Sequence, residues 1–397
     1  MLEELLKQDS YIVSKYNFKK YIERDIYSSF DSNSKIYGII GLRGVGKTSY
    51  LLSRRVKTDK SIYISCDLVG LKNVNLFNIL DELQKNYGYT TFYLDEIHFN
   101  QDWQQSLKNI YDFLDVKVIF SGSNMINLTK GGYDLSRRSL KFELKEFSFR
   151  EFIYLTKNIK ISDYSLDDIL NNHVEIAKNN ISWFSKKMLD DYLRFGQFGY
   201  FYEEIGNEIE YKIKMQNSIK KSIYEDLTDF VDISTNNLSK IEDIIYYIAN
   251  AGTSDLSVYA ISKKITLSPQ VTEIYINFLS QIGLVNLLQY FGKTSDRLRK
   301  SKKFYLANTN ILSLFDSYTG NFRETFFVSQ IKRLNKEIFF MTNTDFVVKH
   351  NLSNLYFEIG GKNKKRSEKD IFIIKDDIEI GIKNEIPLRL FGLINKI

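Results

Sequence analysis

The sequence is short of the residues that build several common sites. It holds one cysteine, Cys66, and two prolines, Pro269 and Pro387. A single thiol can form neither an internal disulfide nor a cysteine zinc cage. The three histidines, His98, His173 and His350, give no basis for a histidine metal centre. No uninterrupted apolar run approaches the ~18 residues that cross a bilayer, so no membrane span or membrane partner is expected. The opening Met1-Leu2-Glu3-Glu4-Leu5-Leu6-Lys7 has neither a basic n-region nor a long apolar h-region. No secretory leader is therefore expected, and the expected compartment is a reducing cytoplasm.

Hydrophobic residues make up 43% of the chain, a globular proportion, and at 397 residues it is too long for one compact core. Two to four domains are expected. Tyr and Phe are plentiful alongside Lys, Asn and Ile, which fits codon bias in an AT-rich genome and is not read as a functional sign. Net charge is +6. For a chain of this size its distribution matters more than its sum.

The strongest local signal is Gly41-Leu42-Arg43-Gly44-Val45-Gly46-Lys47-Thr48. It fits G-x-x-x-x-G-K-[ST], a loop that cradles phosphates. The apolar run Ile36–Ile40 precedes it as a strand, and Thr48-Ser49-Tyr50-Leu51-Leu52 opens a helix after it. Glycines let backbone N–H groups approach phosphate oxygens, and the helix N-terminus adds partial positive charge there. Lys47 is expected to reach the β- and γ-phosphates of a bound nucleotide, and the Thr48 hydroxyl to ligate Mg²⁺. Gly41, Arg43, Gly44, Val45, Gly46 and Ser49 complete the expected binding loop.

From 35 to 147, short β-like runs alternate with helical stretches. Lys35–Ile40, Ile62–Cys66, Thr91–Leu94, Val116–Ser121 and Lys141–Leu144 read as strands, with helices such as Leu76–Tyr87 and Trp103–Leu114 between them. That alternation predicts an α/β fold with a parallel sheet and the phosphate site at the carboxyl ends of the strands. The strand Thr91–Leu94 ends in Asp95-Glu96. Asp95 is placed to hold Mg²⁺ through water, and Glu96 to orient and deprotonate the attacking water. His98, just beyond, reads as a hydrogen-bonded turn residue, and Trp103 as a packing anchor.

Val118-Ile119-Phe120 ends in Ser121-Gly122-Ser123-Asn124. If this strand lies between the loop strand and the Asp95 strand, a polar side chain here can touch the γ-phosphate or the attacking water. Ser123 is the choice, with Ser121 and Asn124 as alternatives. Arg137 and Arg138, in Tyr133-Asp134-Leu135-Ser136-Arg137-Arg138-Ser139, are either a cation supplied to a neighbouring subunit's phosphates or members of surface ion pairs. Arg138 is slightly preferred for the first role, which would require a homo-oligomer.

Together these stretches resemble the prokaryotic AAA+-type ATPases, in a subgroup with an uncharacterised C-terminal region. Further marks are Phe147-Ser148-Phe149-Arg150-Glu151-Phe152, Tyr192-Leu193-Arg194-Phe195-Gly196-Gln197-Phe198-Gly199, and Phe357-Glu358-Ile359-Gly360-Gly361-Lys362-Asn363-Lys364. A proline is more usual at the place of Gly199. The resemblance implies ATP binding and hydrolysis on a P-loop NTPase core over 1–147, and a helical lid over 148–236.

Residues 237–315 have a winged-helix rhythm. Three helices, Ile241–Ala251, Leu256–Lys263 and Pro269–Ile282, precede a hairpin of Leu284–Tyr290 and Phe304–Ala307. The intervening loop carries Lys293, Arg297, Arg299, Lys300, Lys302 and Lys303 against Asp296 alone. Such a loop suits non-specific contact with nucleic-acid phosphates through Arg297, Arg299, Lys300 and Lys302, or it is a solvated wing or a protein contact. On the third helix Val271, Ile274, Tyr275, Phe278, Leu279 and Ile282 read as the buried stripe, and Gln270, Thr272, Glu273, Ile276, Asn277 and Gln281 as the outward face.

Residues 316–397 read as a small α/β module. Phe322–Leu334 is its helix; Asp345–Val348, Leu355–Ile359, Ile371–Ile374 and Ile378–Ile382 are its strands. Glu324, Asp345 and Glu358 are spaced as in a restriction-nuclease-like core. That core usually wants Glu-x-Lys on one strand. Here Ile359 and Gly360 follow Glu358, and Lys362 lies beyond two glycines, so no lysine is expected beside Glu358 and the module is read as inactive.

Overall fold

The computed structural model of the protein describes residues 1–16, 22–30, 32–68, 70–122, 135, 137–203, 206–228, 238–251, 256–295, 300, 302–315, 319–364 and 370–395. The chain divides into two compact units, one built on Met1–Lys145 and the other running from Glu146.

In the first unit a helix α1 (Leu2–Lys15) and a 3₁₀ turn at Asp25–Phe30 precede alternating elements. These are β1 (Ile36–Ile40), α2 (Lys47–Arg55), β2 (Ser61–Ser65), α3 (Leu76–Tyr87), β3 (Thr91–Asp95), α4 (Trp103–Phe113), β4 (Lys117–Gly122) and β5 (Leu140–Glu143). The five strands form one parallel sheet in the order β2-β3-β4-β1-β5. Every residue of β1 and β3 is buried, as strands covered by helices on both faces must be. β4 therefore lies between β1 and β3, and Ile40 pairs with Gly122 while Ser65 pairs with Asp95. That register brings the carboxyl ends of β1, β3 and β4 to one edge, where the glycine loop leaves β1. The architecture is the α/β, P-loop NTPase-like core expected from the alternation.

α1 covers the outer strand β2 and buries Leu5 and Asp9. Asp9 accepts the Tyr63 N–H at 2.8 Å and both arms of the Arg55 guanidinium at 3.0 and 2.7 Å. An edge strand leaves N–H groups without a ladder partner, and here a carboxylate takes one of them.

The second unit opens with helices α5 (Phe149–Lys157), α6 (Leu166–Asn180), α7 (Lys186–Arg194), α8 (Tyr200–Glu203) and α9 (Glu208–Thr228). Ser148 with Glu151, and Ser165 with Asp168, form reciprocal capping boxes that start α5 and α6. Then come α10 (Leu238–Asn250), α11 (Val258–Ile265) and α12 (Pro269–Gln281), and an antiparallel pair β6 (Val285–Leu288) and β7 (Lys303–Leu306). Ser268 caps α12 through the Val271 N–H, with Pro269 at the first helical position. The chain ends with α13 (Thr309–Leu312), α14 (Thr319–Arg333) and a mixed sheet of β8 (Ile338–Phe340), β9 (Phe346–His350), β10 (Ser353–Gly360), β11 (Ile371–Lys375) and β12 (Glu385–Pro387), in the order β12-β11-β10-β9-β8. Phe149, Phe152, Ile169 and Tyr192 from α5–α7 share one apolar core with Phe326, Phe327, Phe346 and Phe391 of this last stretch.

Two expectations need correction. The strand expected over Ile378–Ile382 lies at Glu385–Pro387 instead, and Ile382 makes only an isolated bridge to Glu385. Asp376 and Asp377 just upstream are drawn into ion pairs with Arg323 and Lys186, and Lys383 turns through a left-handed φ of 57°. On α12, Thr272 and Ile276 are buried and Ile274 is 44% exposed, so the helix presents Gln270, Glu273, Ile274 and Gln281 to solvent. Among the described residues no helix is long and apolar enough to cross a membrane.

Candidate functional site

The loop after β1 has the geometry a phosphate cradle needs. A Cβ at Gly41 would stand 2.3 Å from the Leu144 carbonyl oxygen, so only glycine permits this approach. Gly46, which caps α2, has a left-handed φ of 100°. Val45 is fully buried between them, and its carbonyl accepts from the buried Arg24 guanidinium at 3.1 Å. Arg43 sits half-buried on the loop, and the Ser49 carbonyl accepts from Tyr16 Oη at 3.4 Å. Lys47 opens α2 and is 5% exposed, and its ammonium donates to the Gly41 and Leu42 carbonyls at 2.9 Å each. The ammonium is thus held on the loop's own backbone, where a phosphate would compete for it.

Beside the loop stands Asp95, at the tip of β3 and 3% exposed. Its Oδ2 accepts from Thr48 Oγ1 at 2.6 Å and from Tyr63 Oη at 2.7 Å, and its Oδ1 accepts a short hydrogen bond from Ser121 Oγ. Burial, followed by the charge of Glu96, holds the Asp95 carboxyl above the usual carboxylate range, against the three hydroxyls that lower it. Among the described residues no Lys, Arg or His lies within ion-pair reach of Asp95, so its charge is met by neutral donors. A hydroxyl beside a buried carboxylate is a hard-oxygen donor set that suits Mg²⁺. Among the described residues no cluster of three or more His, Cys, Asp or Glu forms a metal cage. A cation here would need further oxygens from a ligand such as a phosphate.

Glu96 follows with φ 49° and ψ 47°, a left-handed backbone for a non-glycine residue. Such backbone costs ~1–3 kcal/mol and gathers at functional sites. The turn aims the Glu96 N–H at Ser121 Oγ, 3.0 Å away. Ser121 therefore links the two acids: it donates to Asp95 and accepts from Glu96. Of the three polar candidates at the end of β4, Ser121 is in the site. Ser123 and Asn124 lie outside the described residues. His98, read from the sequence as a plain turn residue, has Nδ1 3.5 Å from Glu96 Oε2 with its side chain 5% exposed. Its position two residues after the acid was the one signal available. Tyr63 had none, because its role depends on β2 lying beside β3. Trp103 is a packing anchor, buried against Phe120.

Arg138 makes a two-pronged ion pair with Asp112, at 3.1 and 3.2 Å, and Arg137 is exposed.

In the second unit, Lys302 is paired with Glu273 of α12 at 3.1 Å, and Lys300 lies over the Tyr290 ring at 5.2 Å. Arg297 and Arg299 lie outside the described residues. Glu324 accepts from Tyr305 Oη at 2.8 Å. Asp345 accepts the Ile359 N–H at 2.8 Å. A lysine does stand by Glu358: Lys364 Nζ is 3.1 Å from Glu358 and 3.4 Å from Asp345. The expectation looked along the strand to Lys362. The loop after Gly360-Gly361 folds back instead, and the Lys364 side chain packs where a Cβ on Gly360 would stand.

Residues 33–153 match a family described as an AAA domain, and residues 186–321 match a domain of unknown function. The uncharacterized protein MJ1637 of Methanocaldococcus jannaschii is 27% identical over 314 residues, covering 75% of this chain and 64% of its own length. The chain thus spans less than two thirds of that relative. The uncharacterized protein MJ1544 of the same organism is 24% identical over 387 residues, covering 92% and 80%. A solved structure described as "Structural Basis for Katanin Self-Assembly" overlaps 48% of this chain and 75% of its own at 17% identity, with a TM-score of 0.28, too low to bear on fold or assembly. The N-terminal part of the chain is therefore similar to an AAA domain and has a P-loop NTPase-like α/β core, and residues 186–321 are similar to a domain of unknown function.

Proposed function

We propose that the protein binds ATP and hydrolyses it with Mg²⁺. The observation that carries this reading is the hydrogen-bonded run Thr48–Asp95–Ser121–Glu96 beside the glycine loop. Lys47 exchanges the Gly41 and Leu42 carbonyls for β- and γ-phosphate oxygens, joined by backbone N–H groups of Gly44–Ser49. Thr48 and Asp95 hold Mg²⁺, which when bound neutralises phosphate charge. Glu96 takes the proton of the attacking water, a role worth ~10²–10⁴-fold in rate. Ser121 fixes one acid against the other, and Ser123 remains the assigned contact to the γ-phosphate. If an arginine acts on a neighbouring subunit, the ion pair of Arg138 with Asp112 favours the exposed Arg137. Specific activity would then rise with protein concentration. The test of the reading is Mg²⁺-dependent ATP hydrolysis by wild type and Glu96→Gln. The variant should lose turnover and keep nucleotide binding; equal turnover in both would overturn the assignment.

The C-terminal region is read as a winged helix over 237–315 and a nuclease-like module over 316–397, moved by the ATPase, with 148–236 as its lid. Charge reversal at Arg297, Arg299 and Lys300 should abolish DNA binding if the hairpin contacts phosphates. The alternative to turnover is a nucleotide-dependent switch that binds DNA or protein. It predicts tight ATP binding without hydrolysis.

A second reading is favoured by Lys364. With its ammonium between Glu358 and Asp345, the ground for calling the module inactive is gone. A metal-dependent DNA cut that is lost in Asp345→Ala would establish it; no cut with Mg²⁺ or Mn²⁺ would return the module to an inactive one.

A further inference from the structure

We propose that Tyr63 is a positioning residue for the divalent cation, acting through Asp95. The inference rests on the ATPase reading above and goes one shell further out.

Three hydroxyls hold the Asp95 carboxylate, and they are not equivalent. Thr48 is itself an expected cation ligand. Ser121 also accepts the Glu96 N–H. Tyr63 does neither. It comes from β2, the edge strand. Its ring is buried, 4% exposed, and its backbone N–H is taken by Asp9 at 2.8 Å. The parallel register sets Tyr63 beside Tyr93, two residues short of Asp95, so the phenol reaches along the sheet face to Oδ2 at 2.7 Å. Phenylalanine would fill the same volume and would give up this hydrogen bond together with the phenol's contact to Ser65.

A carboxylate that meets Mg²⁺ must present one oxygen in a fixed orientation, and a buried one has little else to hold it. With Tyr63 and Thr48 on Oδ2 and Ser121 on Oδ1, both oxygens are tied, and rotation about Cβ–Cγ is closed. Removing the phenol leaves Oδ2 with Thr48 alone, the same group the cation recruits. Outer-shell partners of metal-binding carboxylates are worth ~10–100-fold in metal affinity.

The experiment is a Mg²⁺ titration of fluorescent ATP-analogue binding to the full chain, with the Mg²⁺ dependence of turnover alongside, for wild type, Tyr63→Phe and Tyr93→Phe. Tyr93 lies on the same sheet face but bonds to Thr58, 2.9 Å away, so it controls for loss of a buried phenol. In Tyr63→Phe the half-saturating Mg²⁺ concentration should rise about tenfold. Affinity for the analogue in EDTA should be unchanged, and kcat at saturating Mg²⁺ should stay close to wild type. Tyr93→Phe should titrate as wild type does. A Tyr63→Phe titration that overlays wild type overturns the proposal, as does a parallel loss of metal-free affinity, which would mark Tyr63 as merely structural. Wild-type binding that ignores Mg²⁺ altogether would instead remove the ATPase reading, and this inference with it.

Discussion

The Thr48 hydroxyl donates to Asp95 Oδ2 at 2.6 Å, across 47 positions of sequence. That bond ties the end of the phosphate loop to the tip of a strand two places away in the sheet, and it exists because β4 separates β1 from β3. The same arrangement lets Ser121, from β4, bridge Asp95 and Glu96. The glycine loop, Asp95 and Glu96 are therefore joined in one hydrogen-bonded run, as the proposed phosphate site would require.

Asp95→Asn should make the protein more stable and unable to respond to Mg²⁺. Burial and Glu96 raise the Asp95 pKa, so the group's contribution is complete below the ordinary carboxylate value and is lost as pH rises through the folded-state value. Keeping this buried acid ionised is a cost to the fold. An amide keeps much of the hydrogen bonding without the charge. Thermal unfolding at neutral pH, without nucleotide or metal, should give a higher Tm than wild type. The gap should narrow toward acid pH, and added Mg²⁺ should not shift nucleotide affinity. A lower Tm for Asp95→Asn would mean that hydrogen bonds to the charged form outweigh desolvation.

The parts of this site that a reader of the sequence can find are those written locally. Gly41–Thr48, the acid pair at the end of an apolar strand, and the polar end of β4 are each contiguous, and each chemical role follows from residue type. Ser121 and Tyr63 are a different case, as are, away from this site, Asp9 on α1 and Lys364 in the second unit. Ser121 is one of three candidates within four residues, and strand register is what brings it against Asp95 and Glu96. Nothing in the sequence around Tyr63, on β2, points to Asp95 at the tip of β3, and nothing around Asp9, on α1, points to β2. Lys364 is hidden from a reading along the strand because the chain turns back after Gly360-Gly361 and returns the lysine to Glu358. The α12 face was misjudged by Ile274 and Ile276, two apolar residues on opposite sides of one helix, where packing rather than composition decides which is buried.

Asp9→Ala should destabilise the first unit. Asp9 is buried and holds Arg55 and the Tyr63 N–H at once. Cutting a buried ion pair from one side costs ~3–5 kcal/mol. The Arg55 side chain keeps 20% exposure and can be partly rehydrated, which puts the expected loss at the lower end of that range. The denaturant midpoint of this unit is the readout, and Asp9→Asn should recover part of the loss by keeping an acceptor for the N–H. A midpoint unchanged in Asp9→Ala would show that α1 is held by its apolar face alone.

His173 sets an acid limit on the second unit. Burial depresses its pKa below the ordinary 6.5. A base held neutral in the fold takes up its proton more readily when unfolded, so stability is complete above the ordinary value and falls as pH drops below it. Urea midpoints between pH 7 and pH 5 should decline in wild type and decline less in His173→Gln. Equal slopes would place the acid sensitivity elsewhere.

Glu273→Gln should strengthen DNA binding, if the loop between β6 and β7 is what meets the phosphates. Glu273 is an exposed residue on the solvent face of α12, and it holds Lys302 at 3.1 Å. An exposed pair of this kind contributes ~0–1 kcal/mol to stability, so its loss should leave the fold intact. It does neutralise one of the cations on which non-specific binding would depend, and it places a negative charge beside the expected path of the backbone. Each phosphate neutralised steepens the fall of log affinity with log salt by ~0.9. Anisotropy titrations of duplex DNA over a salt series should therefore give tighter binding for Glu273→Gln at low salt and a slope steeper by about one unit. Lys302→Gln should move neither quantity much, because its charge is already spent. An unchanged slope in Glu273→Gln would take Lys302 out of any nucleic-acid contact and leave the hairpin as a solvated wing.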